Sequence, residues 1–297
     1  MTSKNQPLVH EPESKDSREA TRALLSRWLE QQQPLGESPE ISVVIPAFNE
    51  EWRLPPTLID VIDFFDNSGR TYEIVVVDDG SRDSTSAVVK KFSRVRSQVR
   101  LLRIPRNSGK GYAIRSGVQN AKGHQILFAD ADGSTPISEY NRLAKALENS
   151  EIAIGSRALR SEEVSVRTSL HRRALGRVFN LLVNQILLPD FRDTQCGFKL
   201  FRAPVARFLF HLQQSDGFSF DCEILYLAKR AQFSIAEVPV NWVNVPGSKV
   251  NLVLDSMKML RDLFIFRMRH RNISHRDFET FLVSENLPPQ ANQEAEP

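Results

Sequence analysis

Carboxylates recur in three short clusters, Asn49-Glu50-Glu51, Asp78-Asp79 and Asp130-Ala131-Asp132, each just after a run of β-branched or apolar residues. In the third, alternation along an extended segment turns Asp130 and Asp132 to the same side, with the small Ala131 between them. Carboxylates held that close repel. A divalent cation with hard oxygen ligands, Mg2+ or Mn2+, is the natural compensation, together with the donor groups of a polar ligand. Asp132-Gly133 is also a common turn signal, so the pair gains its weight from its setting. That setting is the apolar run Ile126-Leu127-Phe128-Ala129 before it and the two other clusters placed the same way.

The elements that would carry these clusters alternate. Ile41 to Pro46 is a β-branched run stopped by proline, which suits a buried strand. A helix over 55–67, a strand over 73–77, a helix over 84–97, a strand over 99–104, a helix over 109–121 and a strand over 125–129 follow. Strand-helix alternation predicts a parallel sheet with helices on both faces, whose ligands sit at the carboxyl ends of the strands. All three acidic clusters lie at such ends. Further on, Thr135-Pro136 opens a helix, 152–155 is a strand, 160–177 is basic, 178–188 is an apolar helix, and 193–201 and a strand over 235–243 close the domain.

The division expected is a mobile arm over 1–39 with a short helix over 21–32, a domain over 40–251, a basic amphipathic helix over 252–276 and a polar tail over 277–297. Across 297 residues, 41% hydrophobic and 25% charged content is that of a globular chain, which excludes collagenous, coiled-coil and wholly disordered classes. A formal charge of +3 is too small to imply a nucleic-acid partner. Two cysteines, Cys196 and Cys222, make no disulfide framework, and a reducing compartment is expected. The polar start does not read as a secretory leader, and no apolar run approaches the roughly 20 residues that span a bilayer.

The motifs Val44-Ile45-Pro46-Ala47-Phe48-Asn49-Glu50, Val76-Val77-Asp78-Asp79-Gly80-Ser81, Asn107-Ser108-Gly109-Lys110-Gly111 and Asp130-Ala131-Asp132-Gly133 resemble those of family 2 glycosyltransferases over about residues 41–251. The stretches Asp193 to Phe201 and Pro246 to Asn251 are most similar to the dolichyl-phosphate β-glucosyltransferase and dolichyl-phosphate mannosyltransferase branch. The resemblance implies the GT-A fold, a mostly parallel sheet flanked by helices in a single domain. It implies an inverting, metal-dependent transfer of a hexose from a nucleotide sugar to a polyprenyl phosphate. Gly133 after the second aspartate looks like the glucosyl branch, which puts UDP-glucose ahead of GDP-mannose.

By the same resemblance, Pro46, Ala47, Phe48 and Glu50 would line the nucleoside pocket, with Asp78 accepting from the base and Asp79 assisting. Lys110, Asp130 and Ala131 would also face the nucleotide sugar, and Asp130 and Asp132 would hold the metal bridging the diphosphate. Arg157, Arg173, Lys199, Ser248 and Lys249 would hold the acceptor phosphate, with Asp132, Arg157, Arg173 and Lys249 carrying the catalytic step. A phosphate acceptor is already anionic near neutral pH, its second pKa being about 6, and needs no strong base. Asp221 and Glu223 read equally as a base for a hydroxyl acceptor or as structural caps.

Other signals fall away. Ile104 and Gly111 occupy positions where a Walker loop needs glycine and Ser or Thr, and Ile114 stands at the third glycine of a dinucleotide fingerprint. Six scattered histidines show no zinc-ligand pairing. No Gln-x-x-Arg-Trp segment supports processive synthesis. The amphipathic 252–271 stretch, rich in Lys and Arg, reads as a helix that packs on the domain and touches an anionic leaflet from the cytoplasmic face, with a separate membrane protein as a further possible partner. A soluble acceptor and a noncatalytic nucleotide-sugar-binding protein are the competing functions.

Overall fold

In a computed structural model, which describes residues 38–159, 161–167, 180–245 and 252–285, the apolar runs become a seven-stranded sheet. The arm expected before residue 38 lies outside the described residues, as do Arg173, Ser248 and Lys249. In chain order the first half comprises β1 (Ile41–Ala47), α1 (Leu54–Ser68), β2 (Tyr72–Asp79), α2 (Thr85–Val95), β3 (Val99–Ile104), α3 (Lys110–Asn120) and β4 (Gln125–Ala129). A single turn, Ile137–Glu139, leads into α4 (Tyr140–Leu147) and β5 (Ile152–Ser156). Then come β6 (Val166–Arg167), helical residues 180–186, β7 (Phe198–Arg202), α5 (Ala203–Leu212), α6 (Phe220–Arg230), β8 (Ile235–Pro239), β9 (Trp242–Val243), α7 (Leu252–Arg269) and α8 (His275–Ser284).

The sheet order is β3-β2-β1-β4-β7-β5-β8, parallel except for β7, which runs antiparallel to both β4 and β5. The order reverses between β1 and β4, and such a switch point opens a crevice at the carboxyl edge. Because β7 is antiparallel, its first residue, Phe198, lies opposite Ala129, the last of β4. The loop entering β7 therefore arrives at the same edge as the loops leaving β1, β2, β4 and β5.

Burial follows from alternation. Ile41, Val43 and Ile45 pack with Leu58, Val61 and Phe65 of α1 on one face, while Val44 and Val77 pack with Ile114 and Val118 of α3 on the other. Every residue of β2 is buried, as expected of a central parallel strand covered on both sides. At the opposite, amino edge, buried Glu73 accepts from Ser42 Oγ, the Lys122 amide and Arg100, tying three strands and a loop together.

Two expectations are corrected. The strand expected over 235–243 is broken: β8 ends at Pro239, and Trp242–Val243 pairs with Val166–Arg167 in a separate two-stranded ribbon. Proline has no amide to continue the ladder. The polar tail expected from 277 instead carries most of α8. Ser274 and Asp277 form a capping box at its start, and Phe278 and Leu282 are buried, Phe278 packing edge-on against Phe233 and Phe208. The helix expected over 252–276 accordingly stops at Arg269.

Gly117 lets α3 lie flat on the sheet. A Cβ there would fall 2.3 Å from Val44 Cγ1 and 2.9 Å from Val77 Cγ2, both on fully buried side chains. Helix propensity favours Gly117→Ala by about 1 kcal/mol, whereas overpacking costs about 1–3 kcal/mol. With two branched neighbours unable to retreat, the clash wins: denaturant unfolding should show Gly117→Ala destabilised by about 1–2 kcal/mol.

Candidate active site

Asp130 leaves β4 at the switch point, and the first constraint on it is room. Its amide donates to Gly197 O at 3.2 Å, and a Cβ on Gly197 would lie 2.0 Å from Asp130 Oδ2. Only glycine leaves space there for the carboxylate. Lys110 Nζ, at the start of α3, reaches Asp130 Oδ1 at 2.6 Å. Burial alone would depress the Lys110 pKa, but the carboxylates of Asp130 and Asp221 outweigh it and the net direction is up.

Asp132 is held from behind. Its Oδ1 accepts from the Ser134 amide at 3.0 Å, and Thr57 Oγ1 donates to Ala131 O at 2.9 Å, which fixes the turn to α1. Burial, and then the neighbouring Asp130 charge, push the Asp132 carboxyl above its ordinary range. Arg53 NH1 stands 3.8 Å from Asp132 Oδ2. Arg53 itself is oriented by Glu50, which accepts from Nε at 2.7 Å and NH2 at 2.5 Å. Burial works against the guanidinium, yet the bond to Glu50 and the charges of Glu50, Asp132 and Asp130 raise its pKa. Arg53 was not among the expected site residues, although the Glu50-x-x-Arg53 spacing on a helical entry would have found it.

The other expected residues divide. Pro46 and Ala47 end β1 opposite Val77 and Asp78, and Phe48 follows, half-buried, at the same edge. Asp78 is fully buried: Oδ1 accepts from the Ser81 amide at 2.8 Å, and Oδ2 accepts from the Ser86 hydroxyl. Its expected direct contact with a base is therefore corrected to fastening the β2–α2 turn. Asp79 is buried as well and accepts from the amides of Ser108 and Gly109 at 2.8 and 2.9 Å, which sets the loop that presents Lys110. Burial raises its pKa against the pull of those two donors.

Arg157 leaves β5 beside this group. Asp193 grips it three times, from the amide at 2.9 Å, Nε at 2.7 Å and NH2 at 2.8 Å, and the guanidinium carbon lies 5.6 Å from the Trp242 ring centroid. Burial disfavours both charges, but their attraction prevails, so the Arg157 pKa is raised and that of Asp193 lowered. Asp130 is among the charges that act on Arg157. Asp193, inside a motif read as a unit, is a positioning group that sequence reasoning did not single out.

Lys199 does not face the crevice. It is 1% exposed, and its Nζ donates to Asp221 Oδ1 at 2.5 Å and Cys196 O at 2.7 Å. The expected contact with an acceptor phosphate is corrected, because the ammonium is spent inside the protein. Glu223 is likewise internal, accepting from the Gln214 and Ser215 amides and meeting His270 Nε2 at 2.7 Å. Of the two open readings of Asp221 and Glu223, the geometry matches the structural one. Cys196 and Cys222 are free and buried, their pKa values pushed up to about 12 by desolvation first, and so are unreactive thiols.

Among the described residues no three His, Cys, Asp or Glu side chains gather as a complete metal-binding group. Asp130 and Asp132 nonetheless fit a cation of the Mg2+ type, which takes one or two carboxylates and draws its other ligands from phosphate oxygens and water. The unfavourable ionisation of Asp132 beside Asp130 is the strain a divalent ion would relieve.

The Arg157–Asp193 grip predicts a pH dependence. The folded-state pKa of Asp193 lies below its unfolded value of about 3.9, so its contribution to stability is complete above that pH and is lost as pH falls through the folded value. Asp193→Asn should unfold more easily at pH 7 by about 2 kcal/mol, discounted for the partial exposure of Arg157. Thermal melts of variant and wild type should draw together as pH falls below the unfolded value of about 3.9 and converge only once it is under the lowered folded-state value.

Comparison with known proteins accords with this geometry. Residues 42–210 match the family described as Glycosyl transferase family 2. The chain is 39% identical over 252 residues to the dolichyl-phosphate beta-glucosyltransferase of Drosophila melanogaster, covering 80% of this chain and 77% of that protein. It is 38% identical over 256 residues to the protein of the same name from Saccharomyces cerevisiae, with 80% and 77% covered. Among solved structures, glucosyl-3-phosphoglycerate synthase from Mycobacterium tuberculosis in complex with UDP aligns at a TM-score of 0.54 and 18% identity, over 95% of this chain and 88% of that one. The complex of that enzyme with Mn2+, UDP-glucose and phosphoglyceric acid aligns at 0.54 and 18%, over 90% and 86%. At such identity the likeness is one of fold. The sheet order and the carboxylates at its switch point agree with what the family match over more than half of the chain establishes: this is a member of glycosyltransferase family 2, an enzyme with the GT-A fold.

Proposed function

We propose that this enzyme transfers glucose from UDP-glucose to a polyprenyl phosphate of the dolichyl type, with inversion at the anomeric carbon. One observation carries the reading: at the carboxyl edge of the sheet, Asp130 and Asp132 stand with Lys110 and Arg53, and Arg157 leaves β5 at the same edge, oxygen donors for a divalent ion among cations for phosphates. The naming of the curated relatives supports the choice of sugar and acceptor.

Pro46, Ala47, Phe48 and Glu50 frame the nucleoside side of the crevice, with Asp78 and Asp79 fixing the loops around it. Asp132, assisted by Asp130, would hold Mg2+ or Mn2+, which when bound supplies neutralisation of the charge growing on the departing diphosphate. Lys110 and Arg53 add fixed positive charge at the same place. Arg157, immobilised by Asp193, presents its remaining guanidinium edge to a phosphate. Arg173, Ser248 and Lys249 complete the acceptor site in this proposal, on the strength of their motifs. A phosphate oxygen attacking in line on an α-linked donor forms the C1–O bond as the bond to the diphosphate breaks, giving a β-linked product. No side chain need remove a proton, since that oxygen is already anionic.

The acceptor also calls for a lipid surface. Phe264 and Met268 of α7 are 57% and 75% exposed, with Arg261 and Arg269 exposed on the same helix. No helix among the described residues is long and apolar enough to cross a membrane. An amphipathic, basic helix suits peripheral attachment to the cytoplasmic face of a membrane carrying anionic lipid. Sedimentation with vesicles containing anionic lipid should show binding that weakens with salt, and Phe264→Ser with Met268→Ser should lower it by about tenfold or more.

The deciding assay measures nucleoside diphosphate release from UDP-glucose with Mn2+ or Mg2+, with and without polyprenyl phosphate in detergent. Lipid-dependent release is expected, and Asp132→Ala should reduce it by about a hundredfold or more. Because ionised Asp132 is unfavourable in the fold, the same substitution should leave the melting temperature unchanged or raised. Lipid-independent release would redirect the search to soluble acceptors, release only from GDP-mannose would change the sugar, and binding without release from either donor would indicate a noncatalytic protein.

A further inference from the structure

Lys199 of β7 and Asp221 of α6 form an ion pair 2.5 Å long with side chains 1% and 6% exposed. The ammonium also lies 5.1 Å from the centroid of the Phe128 ring. Such a pair is a poor device for stability, because desolvation takes back most of what attraction gives, and apolar residues of similar volume often serve as well. Its position suggests another use. Lys199 Nζ holds the carbonyl of Cys196, and the next residue is Gly197, whose carbonyl receives the Asp130 amide and whose lack of a Cβ makes room for the Asp130 carboxylate. The start of α3 lies against the start of α6 at this point: a Cβ on Gly111, next to Lys110, would fall 2.8 Å from Cβ of Phe220, next to Asp221, and the Lys110 and Asp221 charges act on each other. Beneath the crevice the charges therefore alternate: Lys199, Asp221, Lys110, Asp130.

We propose that Lys199 and Asp221 are positioning residues for transfer: Lys199 fixes the turn against which Asp130 rests, and Asp221 holds the Lys110 ammonium at that carboxylate. The inference rests on the reading that Asp130 and Lys110 bind the nucleotide sugar. Neither residue touches substrate. Lys199 supplies positive charge that opposes the desolvation of Asp221, and the Asp221 carboxylate draws Lys110 inward without competing for the face Asp130 offers to a ligand. Lys110 would otherwise be a long, four-carbon stem free to follow solvent.

The test is a cycle in the full-length protein. The apolar pair Lys199→Met with Asp221→Leu removes both charges, and Lys199→Gln with Asp221→Asn removes them while keeping a hydrogen bond, so that at least one folded variant is secured. Each is combined with Lys110→Met. Thermal melts, kcat and KM for UDP-glucose, and calorimetric affinity for UDP with Mn2+ are read for all. The expected result is a charge-free pair that melts near wild type, with KM for UDP-glucose raised and kcat lowered by about ten- to a hundredfold in their ratio. Lys110→Met should then cost much less in that background than in wild type, since its position is already lost.

Kinetic constants and UDP affinity within twofold of wild type in a folded charge-free pair would overturn the proposal. An undiminished effect of Lys110→Met in that background would do the same, because the pair would not be acting through Lys110. Should wild type prove inactive with UDP-glucose, the substrate reading fails on that observation alone, and the cycle is decided by UDP affinity under the same two criteria.

Discussion

Two carboxylates separated by one residue, in the turn that leaves a strand buried on both faces, repel each other, and the edge of this fold is arranged around that repulsion. Asp130 and Asp132 cannot separate, because β4 is fixed between β1 and β7 and the turn is bonded to Thr57 and Ser134. Partial burial weakens the screening water gives them without removing it. What remains is to bring positive charge to them. Lys110 comes from α3, Arg53 from the entry to α1 and Arg157 from the end of β5, each from a different connection. Two of these cations are in turn paired behind with an acid of their own, Arg53 with Glu50 and Arg157 with Asp193.

Carboxylates also do most of the fastening. Asp78, Asp79, Glu223 and Glu237 accept main-chain amides of the loops at or behind this edge: Ser81, Ser108 and Gly109, Gln214 and Ser215, Arg192 and Asp193. An ionised acid offers more acceptor sites than a loop can saturate from its own backbone, and its bonds to amides are strong. Loops that must present charge are thus held by charge. The same economy explains why an acid at a strand end is ambiguous in a sequence: binding a ligand and bonding a loop require the same residue in the same place.

That ambiguity sets what the sequence disclosed. Hydrophobic period and proline placement gave β3 and β4 to the residue, and α1, α2 and α3 to within two residues, because those elements are decided by local pattern and two-sided burial. Asp130, Asp132, Lys110 and Arg157 were recognisable because their motifs are contiguous. Arg53 was legible in the Glu50-x-x-Arg53 spacing but was not singled out, whereas Asp193 and the buried state of Lys199 were not legible, since each depends on a partner or a face created by the antiparallel insertion of β7. The α8 helix was legible in principle, with Ser274-x-x-Asp277 before Phe278, Phe281 and Leu282, but a high density of polar residues around them outweighed the apolar spacing.

An acceptor that is already an anion changes what an active site must contain. A hydroxyl acceptor needs a base within reach of its proton, so an acid would have to stand in the crevice with a lone pair free. Here the two acids first open to that role are engaged, Asp221 by Lys199 and Glu223 by two amides and His270. A phosphate acceptor needs instead a guanidinium whose direction is fixed before it arrives, because attraction to a mobile cation would not align the attacking oxygen. Arg157 meets that need: with three bonds to one carboxylate and a ring beside it, it has little freedom left to lose on binding. The proposed phosphate acceptor is thus supported by where Asp221 and Glu223 are tied as much as by where Arg157 points.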